Sequence, residues 1–426
     1  MTTFSTNLDQ ASLQQLHASL KKEFDLLKSA KLDLDLTRGK PNAEQLNLSD
    51  KLDGILGGNF VSPSGVDTRN YGGLDGIPEA KAFFAPILQV KPEEVLIGGN
   101  SSLTLMYDTI CFAYLFGLAG GGAWKNEAKI KFLCPVPGYD RHFSICEAFG
   151  IEMIPVTMDA NGPVMDEVEK LVKSDPSIKG IWCVPRFSNP SGIVYSNDTV
   201  ERMAKLGQIA AKNFRIFWDN AYAIHPIEAG AQELAPIMAL CRKHGTEDSV
   251  LQFGSTSKIT LAGAGLAYMS ASVANLNAIR KALGIKAIGP DKVNQLRHLK
   301  FLGDEAGLHS LMQKHAAILK PRFAAVLNAL DANFTNSSAL TWTHPKGGYF
   351  VSVDTQPGLA KKVVALSAEL GVKLTPAGAT FPYGKDPQDT NIRIAPSFPK
   401  QAEIEKAMEV FVLCVKLASV EKALAG

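Results

Sequence analysis

Residues 179–185, 215–222 and 250–258 have the sequences KGIWCVP, RIFWDNAY and VLQFGSTSK. Each is a short apolar run, rich in β-branched and aromatic residues, that ends in polar or turn-forming residues, which is typical of strands buried on both faces. Three similar runs precede them: EVLIGG at 94–99, KIKFLCPVPG at 129–138 and IEMIPV at 151–156. Helical patterns separate the runs, for example at 166–174. This alternation predicts an α/β fold with a parallel sheet covered by helices.

The pattern changes after about residue 295. A long helical stretch at 304–330 is followed by ALTWTHPKGGYFVSVDT at 339–355, which predicts two strands around a Gly-Gly turn. We therefore predict three parts: an N-terminal arm at 1–48 that joins the smaller domain, a large domain at 49–300, and a small α+β domain at 301–426.

Composition excludes several classes of protein. The 426 residues are 46% hydrophobic and 20% charged, which is ordinary for a globular enzyme and too apolar for a disordered chain. The net charge of +2 provides no global field that would attract nucleic acid or an anionic membrane. We expect no nucleic-acid partner and no membrane association.

The cysteines and the N-terminal segment indicate the compartment. The six cysteines form no C-x-x-C pair and no zinc-like spacing with histidine, so we predict no metal site. The first residues, MTTFSTNLDQ, do not resemble a secretory signal, and the longest uncharged run, at 109–124, is too short to span a bilayer. We expect a cytoplasmic protein.

Polar side chains follow the last three strands of the predicted sheet. Asn189 follows the first of them, Asp219 and Tyr222 end the second, and Lys258 ends the third. Ligands of such sheets bind beyond the carboxyl ends of the strands. A lysine can form a Schiff base with an aromatic aldehyde cofactor, and an aspartate can keep a pyridine nitrogen protonated.

Each of these residues also has an ordinary structural interpretation. Lys258 could be a surface lysine, Asp219 a helix N-cap, Asn189 part of a plain turn before Pro190, and Tyr222 a core tyrosine. The turn interpretation of Asn189 is compatible with a role in a site. The case for a site therefore depends on all four residues occurring in this order.

The order and spacing of these four residues, with steps of 30, 3 and 36, resemble the fold-type I, pyridoxal-phosphate-dependent aminotransferases of class I/II. The resemblance is to an aspartate-aminotransferase-like subgroup, and it extends from LTRGKP at 36–41 to NIRIAPSF at 391–398. It implies a mostly parallel seven-stranded sheet with helices on both faces plus a smaller α+β domain. It also implies pyridoxal 5'-phosphate as the cofactor.

The resemblance implies a role for each site residue. Lys258, Asp219 and Tyr222 would be catalytic, and Asn189 and Tyr222 would hydrogen-bond the phenolic oxygen of the cofactor. Tyr139 would stack on its ring. The phosphate would be bound by four serines, Ser101, Ser102, Ser255 and Ser257, and by Tyr71 of a neighbouring subunit, which implies a homodimer with shared active sites.

One position departs from the family pattern. Many members have an arginine in a G-x-G-x-R pattern after the lysine, but SKITLAGAGLAYMS at 257–270 has Ala267 at the place where we expect it. The phosphate charge would have to be met by hydroxyl groups, a helix dipole or a basic residue from elsewhere.

By resemblance to the family, Arg393 would bind the substrate α-carboxylate, a role that suits arginine because a guanidinium can pair with a carboxylate through two hydrogen bonds. By resemblance, Gly39 and Asn189 would assist it. A structural ion pair is the alternative role for Arg393. A second substrate carboxylate would need another cation, and the candidates are Arg38, Arg141, Arg186 and, from a partner subunit, Lys286, Lys292 or Arg297.

The predicted reaction is ping-pong transamination between aspartate and 2-oxoglutarate, with Lys258 as Schiff-base lysine and general base. Alanine or an aromatic amino acid could replace aspartate as the donor. A transcription regulator with an aminotransferase-like sensor domain is an alternative, although no basic DNA-binding segment precedes Tyr71. A dinucleotide-binding oxidoreductase is disfavoured because no complete G-x-G-x-x-G lies between a strand and a helix.

Overall fold

The computed structural model describes residues 4–426. Its strands are β1 Leu34–Asp35, β2 Val95–Ile97, β3 Lys131–Val136, β4 Glu152–Asp159, β5 Gly162–Pro163, β6 Ile178–Cys183, β7 Arg215–Asp219, β8 Val250–Ser255, β9 Ala267–Ala271, β10 Leu340–Trp342, β11 Val351–Thr355, β12 Val372–Lys373 and β13 Asn391–Ile394. Its α-helices are α1 Gln10–Lys28, α2 Ala43–Asn47, α3 Pro78–Leu88, α4 Ser102–Leu115, α5 Asp140–Ala148, α6 Met165–Ser174, α7 Asn197–Ile209, α8 Ile237–His244, α9 Val273–Lys286, α10 Lys292–Leu302, α11 Glu305–Phe334, α12 Ala360–Glu369 and α13 Gln401–Ala425. None of these described helices combines the length and the apolar character needed to cross a membrane.

The central sheet has the strand order β2-β9-β8-β7-β6-β3-β4-β5. The five neighbours from β8 to β4 are parallel, whereas β9 and β5 run antiparallel to their partners. The α/β class and the mostly parallel sheet are thus confirmed. The sheet has eight strands rather than the predicted seven, because the two-residue β5 folds back on the end of β4.

Helices cover both faces of this sheet. Trp182 and Phe217 point to one face, where they belong to a buried cluster that includes residues of α4 and α9. Their neighbours Ile181 and Ile216 point to the other face and join residues of α6, α7 and α8. The runs are continuously apolar because successive side chains of one strand enter two different cores.

A smaller antiparallel sheet, in the order β10-β11-β13, lies in the C-terminal part of the chain. The predicted pair of strands is present as β10 and β11, with Leu340 opposite Thr355. A third buried cluster includes residues of α1, α11 and α13, and β1 pairs with β12. The N-terminal segment therefore packs with the C-terminal part, while the division at residues 48 and 300 stays a prediction.

The topology brings several loops to one edge of the central sheet. β3, β6, β7 and β8 are parallel, and β2 runs in the same direction as β8 because both are antiparallel to β9. The carboxyl ends of these five strands open at the same edge. The site is built there.

Candidate active site

Lys258 lies in the loop after β8 and projects towards two tyrosines. Its Nζ is 4.9 Å from the ring centroid of Tyr222 and 6.0 Å from that of Tyr349. Its backbone carbonyl accepts hydrogen bonds from the Tyr349 hydroxyl, at 3.4 Å, and from His225 Nε2, at 3.3 Å. Burial lowers the pKa of Lys258, against the opposing effect of the Asp219 carboxylate. A lowered pKa increases the fraction of the neutral, nucleophilic amine.

Asp219 is the last residue of β7 and is buried. Its Oδ2 lies 3.1 Å from His142 Nε2. Its Oδ1 is buried and has no hydrogen-bond partner within residues 4–426. Leaving a buried carboxylate oxygen unpaired costs free energy. The side chain therefore offers the site one acceptor oxygen suited to a ligand N–H.

His142 holds the other oxygen of Asp219 and is a residue that the sequence analysis missed. It lies in the first turn of α5, and its ring stacks on Trp182 with centroids 4.3 Å apart and an interplanar angle of 8°. This packing and the hydrogen bond fix the orientation of the Asp219 carboxylate. The available signal was its position three residues after Tyr139 at the start of a helix.

Tyr139 and Tyr222 both lie near this carboxylate. The Tyr139 ring contacts His142 edge-on, with centroids 4.9 Å apart. Burial is the main cause of a raised pKa at both hydroxyls. It raises the pKa of Tyr139 above its ordinary value and that of Tyr222 well above it. Both hydroxyls therefore stay protonated at neutral pH and can donate a hydrogen bond to a ligand oxygen.

The four predicted phosphate-binding serines lie at the ends of β2 and β8. Ser101 is the N-cap of α4, and Ser102 is its first residue. Ser255 Oγ donates to Ser257 Oγ at 3.0 Å, and Ser257 Oγ donates to the carbonyl of Asn100 at 3.3 Å. The two strand ends are thereby joined at the positive end of a 14-residue helix, which is a favourable place for an anion.

Ala267 contributes no charge to the group formed by Ser101, Ser102, Ser255 and Ser257, which we call the serine cradle. It is the first residue of β9, where its N–H donates to Gly99 and its carbonyl accepts from Gly98, both at 3.0 Å. The loop before β9 is linked to an arginine through Asn294. Asn294 Nδ2 donates to the carbonyl of Gly265 at 2.8 Å, and Arg297 Nη2 donates to Asn294 Oδ1 at 2.8 Å.

Arg393 projects from β13 into the same region and is buried. Its Nη1 donates to Asp140 Oδ1 at 3.1 Å and to Asn189 Oδ1 at 3.3 Å, and its Nη2 donates to Thr375 Oγ1 at 3.3 Å. Its Cζ lies 4.9 Å from the ring centroid of Phe350. Predicted Asn189 is thus next to predicted Arg393, although 204 positions separate them. Asp140, Thr375 and Phe350 were not predicted.

Gly39 has a steric reason to be glycine. A Cβ at this position would lie 2.3 Å from Cζ of Phe350, whose ring supports the Arg393 guanidinium. The backbone of residue 39 therefore approaches the arginine site more closely than any residue with a side chain could. This contact joins the predicted Gly39 to Arg393.

The six candidate cations for a second carboxylate differ in whether their side chains already form ion pairs or hydrogen bonds within the chain. Four are held within the chain: Lys286 pairs with Asp108, Lys292 donates to the carbonyls of Asn70 and Gly72, Arg186 pairs with Glu233, and Arg297 donates to Asn294. Arg38 and Arg141 form no ion pair with any residue in the described range 4–426 and are exposed.

Tyr71 is not joined to the serine cradle of its own protomer. Its side chain is 81% exposed. The loop that carries it is nevertheless well defined, because the buried Lys292 Nζ donates to the carbonyls on either side, Asn70 at 2.7 Å and Gly72 at 2.6 Å.

The chain is similar to known proteins along nearly its whole length. The family model described as aspartate amino-transferase matches residues 8–426. An aspartate aminotransferase of Corynebacterium glutamicum is 46% identical over 417 residues, covering 97% of this chain and 96% of the relative. The crystal structure of an aspartate transaminase from the same species has a TM-score of 0.95 and 45% identity, over 99% of this chain and 100% of that one.

A more distant structure shares the fold alone. It is an α-aminoadipate aminotransferase of Thermus thermophilus, complexed with N-(5'-phosphopyridoxyl)-L-leucine, with a TM-score of 0.74 and 22% identity over 92% of this chain and 93% of that one. The family match covers nearly the whole chain, and the similarity to the C. glutamicum proteins extends from end to end. This chain is therefore a member of the aspartate amino-transferase family and is an aminotransferase.

Proposed function

We propose that the protein is a pyridoxal-phosphate-dependent aminotransferase that transfers the amino group of aspartate to 2-oxoglutarate. The observation that carries the proposal is that one sheet edge holds both a desolvated Lys258 amine and an Asp219 carboxylate with one buried oxygen that has no hydrogen-bond partner among residues 4–426. Neither feature is explained by the stability of the fold, because both cost free energy.

The side chains at this edge fit pyridoxal phosphate. Asp219 Oδ1 would accept a hydrogen bond from the N–H of the pyridine ring. Lys258 Nζ would be covalently bonded to the aldehyde carbon, and Tyr139 would lie against the ring. The N-terminus of α4 and the serine hydroxyls would bind the phosphate. When bound, the cofactor supplies an electron sink for the carbanion and a carrier for the amino group.

The chain's own residues then have distinct tasks. Arg393 binds the α-carboxylate and orients the Cα–H bond. The substrate amine would displace Lys258 from the aldehyde carbon, and the freed Lys258 amine would take the Cα proton and deliver it to that same carbon, so one group would act as base and then as acid. The Asp219 carboxylate, oriented by His142, stabilises positive charge opposite its Oδ1. The donor leaves as an oxo acid before 2-oxoglutarate enters, which makes the kinetics ping-pong.

Spectroscopy of the purified protein is the direct test. We expect a visible absorption band from the bound cofactor that bleaches when aspartate is added and returns with 2-oxoglutarate. An absorption band that does not change when aspartate is added would contradict the proposed donor but not the cofactor. Alanine and aromatic amino acids would then be tested as donors. The absence of any band after incubation with pyridoxal phosphate would contradict the cofactor.

Replacing Arg393 with alanine is expected to raise the KM for every amino donor by roughly 100-fold, with a smaller effect on kcat. Losing one partner of a buried charge pair costs about 2–5 kcal/mol. Steady-state kinetics with aspartate and alanine would measure it. Arg393→Lys, which keeps the charge but loses the planar pair of donors, should recover only part of the affinity. Unchanged KM values would show that another residue binds the α-carboxylate.

Arg38 and Arg141 are the candidates for the second carboxylate of aspartate, because among the six cations they are the two whose side chains form neither an ion pair nor a hydrogen bond within residues 4–426. We expect one of the variants Arg38→Ala and Arg141→Ala to lower kcat/KM for aspartate by roughly tenfold or more while leaving that for alanine nearly unchanged. The other variant serves as its control. If neither changes the ratio between the two donors, the second carboxylate is bound elsewhere.

We propose that two copies of the chain share their active sites. The support is the exposed Tyr71 on a loop held in place by Lys292. A mostly apolar groove of about 2170 Å³, bordered by Val61, Phe83 and Leu308, is also open on the protomer. In a dimer, Tyr71 of the second copy would complete the serine cradle.

A further inference from the structure

The contact between Arg393 and Asp140 is the starting point. Asp140 is the first residue of α5, and its Oδ1 lies 3.1 Å from Arg393 Nη1. The arginine side chain is 6% exposed, whereas that of the aspartate is 34% exposed. Within residues 4–426, Asp140 is the one carboxylate that pairs with Arg393.

A buried guanidinium needs a nearby negative charge, because desolvation of an unpaired cation is costly. The other polar partners of Arg393, Asn189 and Thr375, are neutral, and Phe350 provides only the face of its ring. Asp140 therefore supplies the counter-charge when no substrate is present. Its own charge is stabilised by the N-terminus of α5.

The pairing leaves part of the guanidinium unused. Asp140 accepts from Nη1 alone, and Arg393 Nε is buried and has no hydrogen-bond partner among the described residues 4–426. A carboxylate ligand commonly takes two parallel N–H groups of an arginine. Arg393 therefore keeps donors for a second anion while its charge is already balanced by Asp140.

We propose that Asp140 is a resident counter-ion that competes with the substrate α-carboxylate for Arg393. This inference depends on the proposed role of Arg393. Two carboxylates on one guanidinium repel each other, so an arriving carboxylate weakens the Asp140 pair. Asp140, at an exposed helix end, can turn towards water, whereas the enclosed Arg393 cannot. Because of this competition, a simple anion needs a more favourable binding free energy to occupy the site.

The test is the binding of succinate, a dicarboxylate without an amino group, to the holoenzyme. Asp140→Asn keeps an oxygen that can accept from Arg393 but removes the charge. We expect calorimetry to show succinate binding roughly tenfold tighter, and the KM for aspartate to fall without a rise in kcat. A purely structural role predicts the opposite sign, because loosening Arg393 would weaken binding. Unchanged or weaker succinate binding would overturn the inference.

Two controls separate this inference from the proposed function. Asp198→Asn removes an exposed carboxylate from the first turn of α7, away from Arg393, and should leave succinate binding unchanged. The double variant Asp140→Asn/Arg393→Ala should lose the gain; an equal gain there would show that Asp140 does not act through Arg393. If Arg393→Ala alone binds succinate normally, the proposed role of Arg393 is wrong, whatever the Asp140 variant does.

Discussion

Replacing Lys258 with alanine is expected to lower the transamination rate by roughly 10⁴-fold or more, because one amine supplies both covalent attachment and proton transfer. The protein should still fold. The Lys258 side chain ends over the Tyr222 ring and forms no ion pair within the described residues 4–426, so its removal breaks no structural charge pair. Coupled assays of oxo-acid formation would measure the loss.

The matched control is Lys300→Ala, which removes an exposed lysine from α10 and should leave the rate unchanged. A second measurement is independent of turnover: borohydride reduction of the holoenzyme should fix the cofactor to the peptide that contains Lys258, as mass spectrometry would detect. Near-normal turnover of Lys258→Ala, or labelling of another lysine, would refute the proposed mechanism.

Asp219→Asn is expected to lower the transamination rate by roughly 10²–10⁴-fold. An amide is nearly the same size as a carboxylate but carries no charge, so it cannot stabilise a positive ring nitrogen opposite Oδ1. Uncompensated loss of one partner in a buried charge pair costs about 3–5 kcal/mol, which corresponds to this range of rates. Stopped-flow absorption of the half-reaction with aspartate would isolate the step.

The variant His142→Phe tests the orientation of the Asp219 carboxylate separately from its charge. It keeps the Asp219 charge and a flat ring against Trp182 but removes the hydrogen bond that orients the carboxylate. We expect a smaller loss than that of Asp219→Asn. A rate for Asp219→Asn within a few-fold of the wild-type rate would show that the charge is not needed, and the proposed role of Asp219 would be wrong.

The sequence alone predicted which residues lie near one another at the candidate site, because parallel strands carry positional information. A polar residue at the carboxyl end of a buried run must emerge at one edge of the sheet. The structure accordingly brings Lys258 close to Tyr222, and Asn189 close to Arg393. The carboxyl end of β7 presents Asp219 at the same edge.

Other features depended on contacts between distant parts of the chain. β9, AYMSA, was not predicted because it follows a glycine-rich loop and consists mostly of small residues. Its pairing with β2 and β8 is antiparallel and could not be inferred from local pattern. His142 was missed because a histidine in a helix has no distinctive pattern until Trp182 and Asp219 are seen beside it.

Arg393 lies on the small antiparallel sheet, whereas Lys258 and Asp219 extend from the central one. The groups proposed to do the chemistry and the cation proposed to bind the α-carboxylate thus have separate structural supports. Substitutions around β13 would change how tightly the α-carboxylate is bound while the reactive centre stays intact. The affinity for the substrate and the rate of the chemical step could therefore change independently of each other.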